Sequence, residues 1–481
     1  MRPGSGRGSN RDLTVPRRHG LDWADPCDLA PGRTPVTRDS LTTDLRDRLE
    51  AGTVHEPGED AHVAALDVWN GAVVATPRAV VRPTSANQVA EAVAVAVEHD
   101  ASVSVRGGGH DWLGRAVDGE VVLDLSGMRG VEVRGDLATV GGGATAADLA
   151  AEAARHGMLA VTGTAGRVGL AGLTLGGGYG PLLGAAGLAA DRLVAAEVVL
   201  ADGVVVRTQD DPELLWALRG GGGNLGVVTE MTLRLHPGDG LVGGVLMLPW
   251  EGARGVLSRF ADLLADCPEE LTVLLELTVV PETGPGLLVV PVWSGDPARA
   301  EEALERVRAL GEAVADTVAP IDQPALLEQF DQQVPAGMGW HIATRTIAEV
   351  DDAVATLLAG ALERGPGPGI GVGLRPFHGA ATRVPPSDSA VGRRDPHVVL
   401  EISAGWPADG DGAPQRAWVE EVWAALEPHA LEGGYPNFLS RDRVDQVASA
   451  YGANLERLLE VKRRYDPAGV FTGTPLPPHE V

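Results

Sequence analysis

A run of glycines that ends in a histidine is the part of the sequence best suited to chemistry. Residues 106–110 read Arg-Gly-Gly-Gly-His and directly follow a short β-branched run at 103–105. Glycines leave the backbone N–H groups uncovered, so such a loop can close around a phosphate or a flat ring. His110 would then stand at the rim, where its imidazole can react with the bound group. A tight turn with an incidental histidine explains these five residues equally well.

Two further glycine clusters favour a ligand site. Residues 163–180 read GTAGRVGLAGLTLGGGYG, and residues 219–228 read RGGGGNLGVV. Ordered glycine is entropically costly, so three such clusters in one stretch indicate a large flat ligand lined by backbone. A Walker A loop is excluded, because it needs a lysine after the glycines and the sole lysine is Lys462. A Rossmann fingerprint needs a helix there, and residues 111–114 do not begin one. A non-Rossmann flavin or nucleotide site is the remaining interpretation.

The helices and strands predicted around these loops indicate an α+β chain in four parts. Residues 1–38 lack periodicity and are expected to be a disordered extension. Residues 39–237 alternate strands and helices, with Asn87 as the N-cap of a helix to about His99 and a hairpin at 194–208. Residues 238–430 predict an antiparallel sheet backed by helices. Its strands are expected at 241–248, 271–280, 286–293, 370–375 and 397–403. Residues 431–481 contain a last helix, which Asp466-Pro467 ends.

Composition restricts the partners. The net charge of −27 argues against nucleic acid and anionic membranes. No transmembrane-length apolar stretch and no signal peptide is recognisable, so we expect a cytoplasmic protein. The two cysteines, Cys27 and Cys267, do not have metal-ligand spacing, so neither a metal site nor a disulfide is expected. A small molecule is therefore the expected partner, and the oligomeric state stays open.

Four strings taken together carry a resemblance to a known family: RGGGHDWLG (106–114), VGLAGLTLGGGYG (168–180), DPELLWALRGGGGNLGVVT (211–229) and YGANLERLLEVKRRYDP (451–467). They resemble the FAD-linked oxidases of the vanillyl-alcohol oxidase superfamily, in the berberine-bridge-enzyme-like branch. The resemblance implies a two-part PCMH-type FAD-binding domain at 39–237 and a substrate-binding α+β domain at 238–430. It also implies a segment at 431–481 that returns to the FAD-binding domain.

The resemblance also implies how FAD is held. His110 would be bonded covalently to the 8α-methyl carbon of the flavin. Many relatives have a second bond through a cysteine, but Ala165 stands at that position, so we expect a single covalent bond, through His110 only. The implied FAD-binding residues are Arg106, Gly107, Gly108, Gly109, His110, Asp111, Gly114, Thr164, Gly169, Gly172, Gly176, Gly177, Gly178, Tyr179, Gly226, Val227, Val228 and Asn437.

The implied reaction is oxidation of a C–O or C–N centre, or a C–C bond-forming oxidation, by hydride transfer to flavin N5. Oxygen would be the acceptor and hydrogen peroxide the product. A dehydrogenase with another acceptor and a flavin-binding protein without turnover are the alternatives. Such a reaction needs a base for the substrate proton.

The identity of that base is open. Relatives often use the second tyrosine of a YxNY string, and this chain has Phe438 at that position. The expected catalytic candidates are therefore Tyr435, His378 and Glu401, with Tyr179 as a second tyrosine. Trp340 and His341 are further polar residues of the substrate-binding part, and Arg394 is expected to be structural.

Overall fold

The computed structural model describes residues 38–238, 240–333 and 335–477. The predicted disordered extension therefore lies outside the described residues except for Arg38, and so does Cys27. The first sheet and its helices are formed by α1 (Arg38–Arg48), β1 (Val54–His55), α2 (Asp60–Leu66), β2 (Ala79–Val81), α3 (Ala86–Glu98), β3 (Val103–Arg106) and β4 (Val121–Asp124). Its strand order is β1-β2-β4-β3.

Parallel pairing in the first sheet sets the place of the glycine loop. Strands β2 and β3 both pair parallel with β4, and β1 is an antiparallel edge strand. The predicted cap of α3 is wrong by two residues, because Ser85 rather than Asn87 accepts the N–H of Gln88 (3.3 Å). Strand β3 runs directly into residues 107–110, so the loop leaves the carboxyl end of a parallel strand, where ligands commonly bind.

The second sheet has the order β5-β6-β10-β8-β9 and is antiparallel throughout. The predicted hairpin is confirmed, since β8 pairs antiparallel with β9 around Asp202-Gly203. This part comprises β5 (Val131–Arg134), β6 (Leu137–Gly141), α4 (Ala146–Arg155), β7 (Met158–Leu159), α5 (Leu170–Leu175), α6 (Leu183–Ala186), β8 (Leu193–Val199), β9 (Val205–Arg207), α7 (Pro212–Leu218), β10 (Val227–Arg234) and β11 (His236–Pro237).

The third sheet is antiparallel and much larger. Its main path runs β16-β13-β15-β14-β19-β20-β18-β21, with β12 and β17 paired at one side. Its elements up to residue 425 are β12 (Leu241–Gly243), β13 (Leu246–Leu248), α8 (Ala253–Ala265), β14 (Leu271–Val280), β15 (Gly284–Trp293), α9 (Ala300–Arg308), β16 (Ala315–Asp316), β17 (Ala319–Ile321), α10 (Gln323–Gln333), β18 (Met338–Ile347), α11 (Asp352–Glu363), β19 (Ile370–Phe377), α12 (Ala380–Arg383), β20 (His397–Pro407) and α13 (Ala413–Ala425).

Two predictions for this sheet need correction. The strand expected at 241–248 is two strands, because Gly244 has a φ of 153° and packs against the backbone of Thr317. The prediction also missed β18, which pairs with β20 over ten residues. The signal for β18 was present, since Trp340, Ile342 and Thr344 alternate with smaller or charged residues.

The two faces of the third sheet differ as the two-residue period of a strand requires. One face is apolar and packs into a core with α8, α9, α11 and α13; it includes Leu275, Leu277, Val372, Leu374, Leu400 and Ile402. The opposite face carries polar and aromatic side chains. Its central members, taken from cross-strand register and alternation, are Thr272, Leu274, Glu276, Trp340, Ile342, Arg375, Glu401 and Ser403.

The last segment contains β21 (Ala430–Leu431), α14 (Val444–Ser449) and α15 (Leu455–Tyr465). Leu458 and Val461 of α15 share a core with Leu214 and Trp216 of α7. The described residues form one compact unit by contacts, and the predicted domain boundaries at 237 and 430 stay a prediction. No helix among the described residues is long and apolar enough to cross a membrane.

Candidate active site

One cavity of about 360 Å³ is bordered by all three sheets and by the last segment. The first two sheets contribute residues 107–112, 163–165, 168–169, 171–173 and 226–228. The polar face of the third sheet contributes Thr272, Leu274, Trp340, Ile342, Arg375, Glu401 and Ser403. The last segment contributes Tyr435, Asn437, Phe438 and residues 471–474. Residues that are far apart in the sequence therefore face one volume.

His110 faces this cavity from an aromatic stack. Its ring stacks on Trp69 with centroids 4.7 Å apart, and Trp69 stacks on Trp340 at 5.1 Å. Burial lowers the pKa of His110 below its usual range, because the imidazolium would lose its hydration. The imidazole is therefore neutral at neutral pH and has a lone pair available for bonding.

Contacts between loops, rather than contact with a ligand, explain why two of these positions must be glycine. A Cβ on Gly108 would collide with the backbone of Gly169, and a Cβ on Gly169 would collide with Gly108. These two loops pack backbone against backbone, which only glycine permits. Gly172 is different, because a Cβ there would meet no atom within 4 Å and the residue lines the cavity.

Arg106 and Gly114 are predicted FAD-binding residues that lie outside the cavity lining. Arg106 Nη1 donates to Asp124 Oδ1 (3.0 Å), and Arg82 Nε pairs with the other oxygen of that carboxylate (3.1 Å). Gly114 has a φ of 81°, and a Cβ there would lie 2.6 Å from Val73 Cγ1. Asp124 is 1% exposed and needs these cations, so Arg106 fixes the start of the glycine loop instead of reaching into the cavity.

Gly176, Gly177 and Gly178 also lie outside the cavity lining. They leave the space into which Tyr435 and Asn437 pack. A Cβ on Gly176 would collide with the Asn437 amide, and one on Gly177 would lie 3.2 Å from Tyr435 Cε2. The Tyr435 hydroxyl oxygen accepts the Gly178 N–H (2.9 Å) and the Asn437 amide (2.8 Å). Burial nevertheless raises the pKa of Tyr435 above its usual range, so it is a neutral phenol.

Tyr179 lines the cavity. Its hydroxyl is hydrogen-bonded to His397, a residue that the sequence interpretation missed. His397 Nδ1 lies 2.7 Å from the carbonyl oxygen of Asp395, which can only accept, so Nδ1 carries the proton. Nε2 of His397 is then the acceptor for the Tyr179 hydroxyl (3.0 Å). Burial lowers the pKa of His397 to about 4 and raises that of Tyr179, so both groups are neutral.

Three ionisable side chains, those of Glu276, Arg375 and Glu401, meet on the polar face of the third sheet. Arg375 Nε donates to Glu401 Oε2 (2.6 Å). Glu276 lies opposite Gly373, which in turn lies opposite Glu401. A Cβ on Gly373 would lie 2.6 Å from Glu276 Oε2 and 3.4 Å from Arg375 Nη2, so both groups use the space that this glycine leaves. Burial raises the pKa of Glu276 to about 8, because a second carboxylate would be poorly hydrated there.

Of the expected catalytic residues, Tyr435 and Glu401 line the cavity and His378 does not. The His378 ring packs against Gly184, where a Cβ would lie 2.9 Å from its Nε2. His341 is also directed elsewhere, because strand alternation turns it to the helix side, where Nε2 lies 2.8 Å from Glu420 Oε1. Arg394 pairs with buried Asp191 (2.7 Å), as expected for a structural ion pair.

Several features of the cavity suit a large ligand that has both apolar and polar groups. The Ser104 hydroxyl lines the cavity, is 4% exposed and has no hydrogen-bond partner within the described ranges, so it can bond to a ligand. The space beside Gly172 is open, and the walls around Val105, Leu125 and Phe471 are apolar. These residues fit FAD. Among the described residues, no group of His, Cys, Asp and Glu could hold a metal ion.

Comparisons with known proteins agree with this geometry. Residues 77–209 match the family described as FAD binding domain, and residues 434–474 match the family described as berberine and berberine like. The (R)-6-hydroxynicotine oxidase of Paenarthrobacter nicotinovorans is 33% identical over 445 residues, which cover 87% of this chain and 95% of that protein.

Solved structures agree as well. The crystal structure of 6-hydroxy-D-nicotine oxidase from Arthrobacter nicotinovorans has a TM-score of 0.80 and 31% identity, covering 88% of this chain and 97% of that one. Glucooligosaccharide oxidase from Acremonium strictum, described as containing 6-S-cysteinyl, 8α-N1-histidyl FAD, has a TM-score of 0.81 at 22% identity. It covers 92% of this chain and 100% of its own and shows a shared fold. The chain therefore belongs to the FAD-linked oxidoreductases of the berberine-bridge-enzyme-like branch, with a PCMH-type FAD-binding domain, and is an FAD-dependent oxidoreductase.

Proposed function

We propose that this enzyme is an oxidase whose FAD is bonded covalently to His110 alone. The observation that carries the proposal is the position of His110: a neutral imidazole in the lining of a glycine-rich cavity, held flat against Trp69. Ala165 lies in the same lining and offers no thiol for a second bond. Bound FAD would supply the two-electron acceptor for the oxidation. Residues 107–109, Thr164, Gly172 and residues 226–228 would surround it, and Ser104 would offer it a hydrogen bond.

Glu401 is the group that we propose takes the substrate proton. Its side chain faces the cavity, and the hydrogen bond from Arg375 fixes one carboxylate oxygen, which leaves the other for substrate. Tyr435 is the second candidate and is less suited, because two donors already occupy its oxygen and its pKa is raised. A base needs an oxygen that is free to accept the proton, and the second carboxylate oxygen of Glu401 meets this need better than the Tyr435 hydroxyl.

We propose a small planar substrate with an oxidisable C–N or C–O bond. The walls formed by Trp69, Trp340 and Phe438 favour a flat ring. The relative that acts on (R)-6-hydroxynicotine makes amines that carry an aromatic ring the first compounds to test. The test is anaerobic bleaching of the flavin with both enantiomers of 6-hydroxynicotine, other amines, benzylic alcohols and sugars.

Mixing the reduced enzyme with oxygen then identifies the acceptor. Reoxidation within seconds, with one hydrogen peroxide per turnover, is the result expected for an oxidase. Reoxidation over many minutes, but at once by a quinone dye, would make the protein a dehydrogenase. Flavin that no compound reduces would favour a binding protein without turnover.

Replacing His110 by alanine should release the flavin. After denaturation in acid, wild-type protein is expected to keep flavin fluorescence on the polypeptide and to gain the mass of FAD. The His110→Ala variant should lose both while still binding FAD reversibly, because the surrounding loops are unchanged. His156→Ala is the matched control, since that ring is 43% exposed and lies outside the cavity lining, so the flavin should stay attached. Complete release of flavin from the wild type would refute the covalent assignment.

Introducing a cysteine at position 165 should permit a second bond. Ala165 is 6% exposed and lines the cavity, so a thiol there would face the flavin. We expect Ala165→Cys to retain FAD in the His110→Ala background, which the single variant does not. Peptide mass spectrometry should place the flavin on the peptide containing residue 165. Ala165→Ser in the same background is the control and should release all of the flavin on denaturation.

A further inference from the structure

Lys462 is the sole lysine among 39 lysine and arginine residues, and it is buried away from the polar face of the third sheet. Its ammonium group donates to the carbonyl oxygens of Asn224 (2.7 Å) and Phe471 (2.7 Å) and to the Asp466 carboxylate. All three N–H bonds are therefore used. The side chain is 3% exposed and Asp466 is 0% exposed. A compact ammonium group suits this closed site, whereas a planar guanidinium would be too large.

These bonds join two segments that both line the FAD cavity. Asn224 belongs to the third glycine cluster, beside Gly223 and residues 226–228. Phe471 begins residues 471–474, which we call the C-terminal strap. Asp466 adds to the link, because its carboxylate also accepts the N–H groups of Val470 (2.9 Å) and Phe471 (2.8 Å).

The far end of the strap is held by a second pair of hydrogen bonds. The Asn224 amide donates to Thr474 Oγ1 (2.6 Å), and Asn224 Oδ1 accepts the Thr474 N–H (3.1 Å). A Cβ on Gly473 would lie 2.7 Å from the Gly223 carbonyl oxygen, so the two backbones lie in close contact. At the near end, the Phe471 ring is the large apolar anchor, at 2% exposure.

We propose that the C-terminal strap opens to admit FAD and that Lys462 is the positioning residue that fastens it closed. The strap covers one wall of the cavity, its Thr472 and Gly473 are exposed, and it is held by hydrogen bonds with four side chains, those of Lys462, Asp466, Asn224 and Arg441. Such segments open locally without unfolding the whole chain. FAD in contact with residues 471–474 would favour the closed strap, because a ligand stabilises the state that binds it. The inference rests on FAD occupying this cavity and is independent of the covalent bond.

The single lysine is itself the reporter of opening. With its three N–H bonds engaged and its side chain buried, Lys462 should react with acetyl N-hydroxysuccinimide only when the strap opens. The His110→Ala variant, freed of FAD by dialysis, is labelled with and without added FAD, and acetylation at position 462 is followed by peptide mass spectrometry. FAD at ten times its dissociation constant is expected to slow this acetylation about tenfold.

Two variants supply reference rates for the acetylation of Lys462. Arg134→Lys adds an exposed amine, since the Arg134 side chain is 81% exposed, and this lysine should react fast with or without FAD. Thr474→Val removes the two hydrogen bonds of the Thr474 hydroxyl, with the Asn224 amide and the Gly221 carbonyl oxygen, and should speed acetylation of Lys462 about fivefold in the FAD-free protein.

Equal acetylation rates at Lys462 with and without FAD, in protein that binds FAD, would overturn the proposal that the strap opens to admit FAD. Reaction of Lys462 as fast as that of the exposed lysine would do the same. Protein that binds no FAD would instead overturn the proposed function. If wild-type FAD is not covalent, the same labelling is done on wild-type protein.

Discussion

Replacing Glu401 by glutamine is expected to slow flavin reduction by about 10²- to 10⁴-fold, the usual contribution of a positioned base. The amide has the shape of the carboxyl group but cannot accept the substrate proton. FAD should stay attached, because Glu401 faces the cavity from the third sheet while His110 and the glycine loops lie on the first two. The measurement is the rate of anaerobic flavin bleaching with a substrate found in the compound screen.

Two comparison variants separate a chemical role for Glu401 from a structural one. Glu420→Gln also removes a carboxylate near the third sheet, but on its helix side, where Glu420 pairs with His341, so bleaching should be unchanged. Tyr435→Phe leaves the Gly178 N–H and the Asn437 amide without their acceptor, so it should lower stability by about 1–3 kcal/mol. A bleaching rate for Glu401→Gln within threefold of the wild type, with a large loss in Tyr435→Phe, would transfer the role of base to Tyr435.

Replacing Glu276 by glutamine is expected to protect the enzyme against alkaline pH. Burial raises the pKa of Glu276 from 4.5 to about 8, so the folded protein holds a proton that the unfolded chain has lost. The stability from this group is complete below pH 4.5 and is lost as the pH rises through about 8. At 1.36 kcal/mol per pKa unit, its upper bound is on the order of 5 kcal/mol. Glutamine does not titrate and avoids this loss.

The measurement is the difference in melting temperature between Glu276→Gln and wild type at pH 5, 7 and 9. It should be near zero or negative at pH 5, should grow in favour of the variant between pH 5 and about 8, and should level off above that pH. Taking the difference cancels the remaining titrating groups, except Arg375 and Glu401, which face Glu276 directly. Glu301→Gln, which removes an exposed carboxylate paired with Arg308, should give no comparable trend. A difference that stays constant from pH 5 to pH 9 would contradict the assignment of a protonated Glu276.

Local sequence patterns were sufficient for the parts of the site that lie within one short segment. The glycine loop before His110, the alanine at position 165 and the helix that Asp466 ends are all readable from neighbouring residues. The hairpin at residues 194–208 was correct for the same reason, since an Asp-Gly turn fixes its own strand pairing. FAD binding and membership of the family could therefore be predicted from the sequence.

Contacts between distant segments could not be read in this way. The Glu276–Arg375–Glu401 cluster depends on the register of three strands separated by about 100 and 25 residues, and a shift of one residue would turn each side chain to the other face. Packing between loops, which local sequence does not encode, brings the backbones of Gly108 and Gly169 into contact. It also pairs Arg106 with Asp124. His378 lies outside the cavity lining, because strand and turn geometry, not residue type, decides which side chain reaches the cavity. Sequence motifs thus indicated FAD through their resemblance to a known family, and tertiary packing decided which side chains line the cavity.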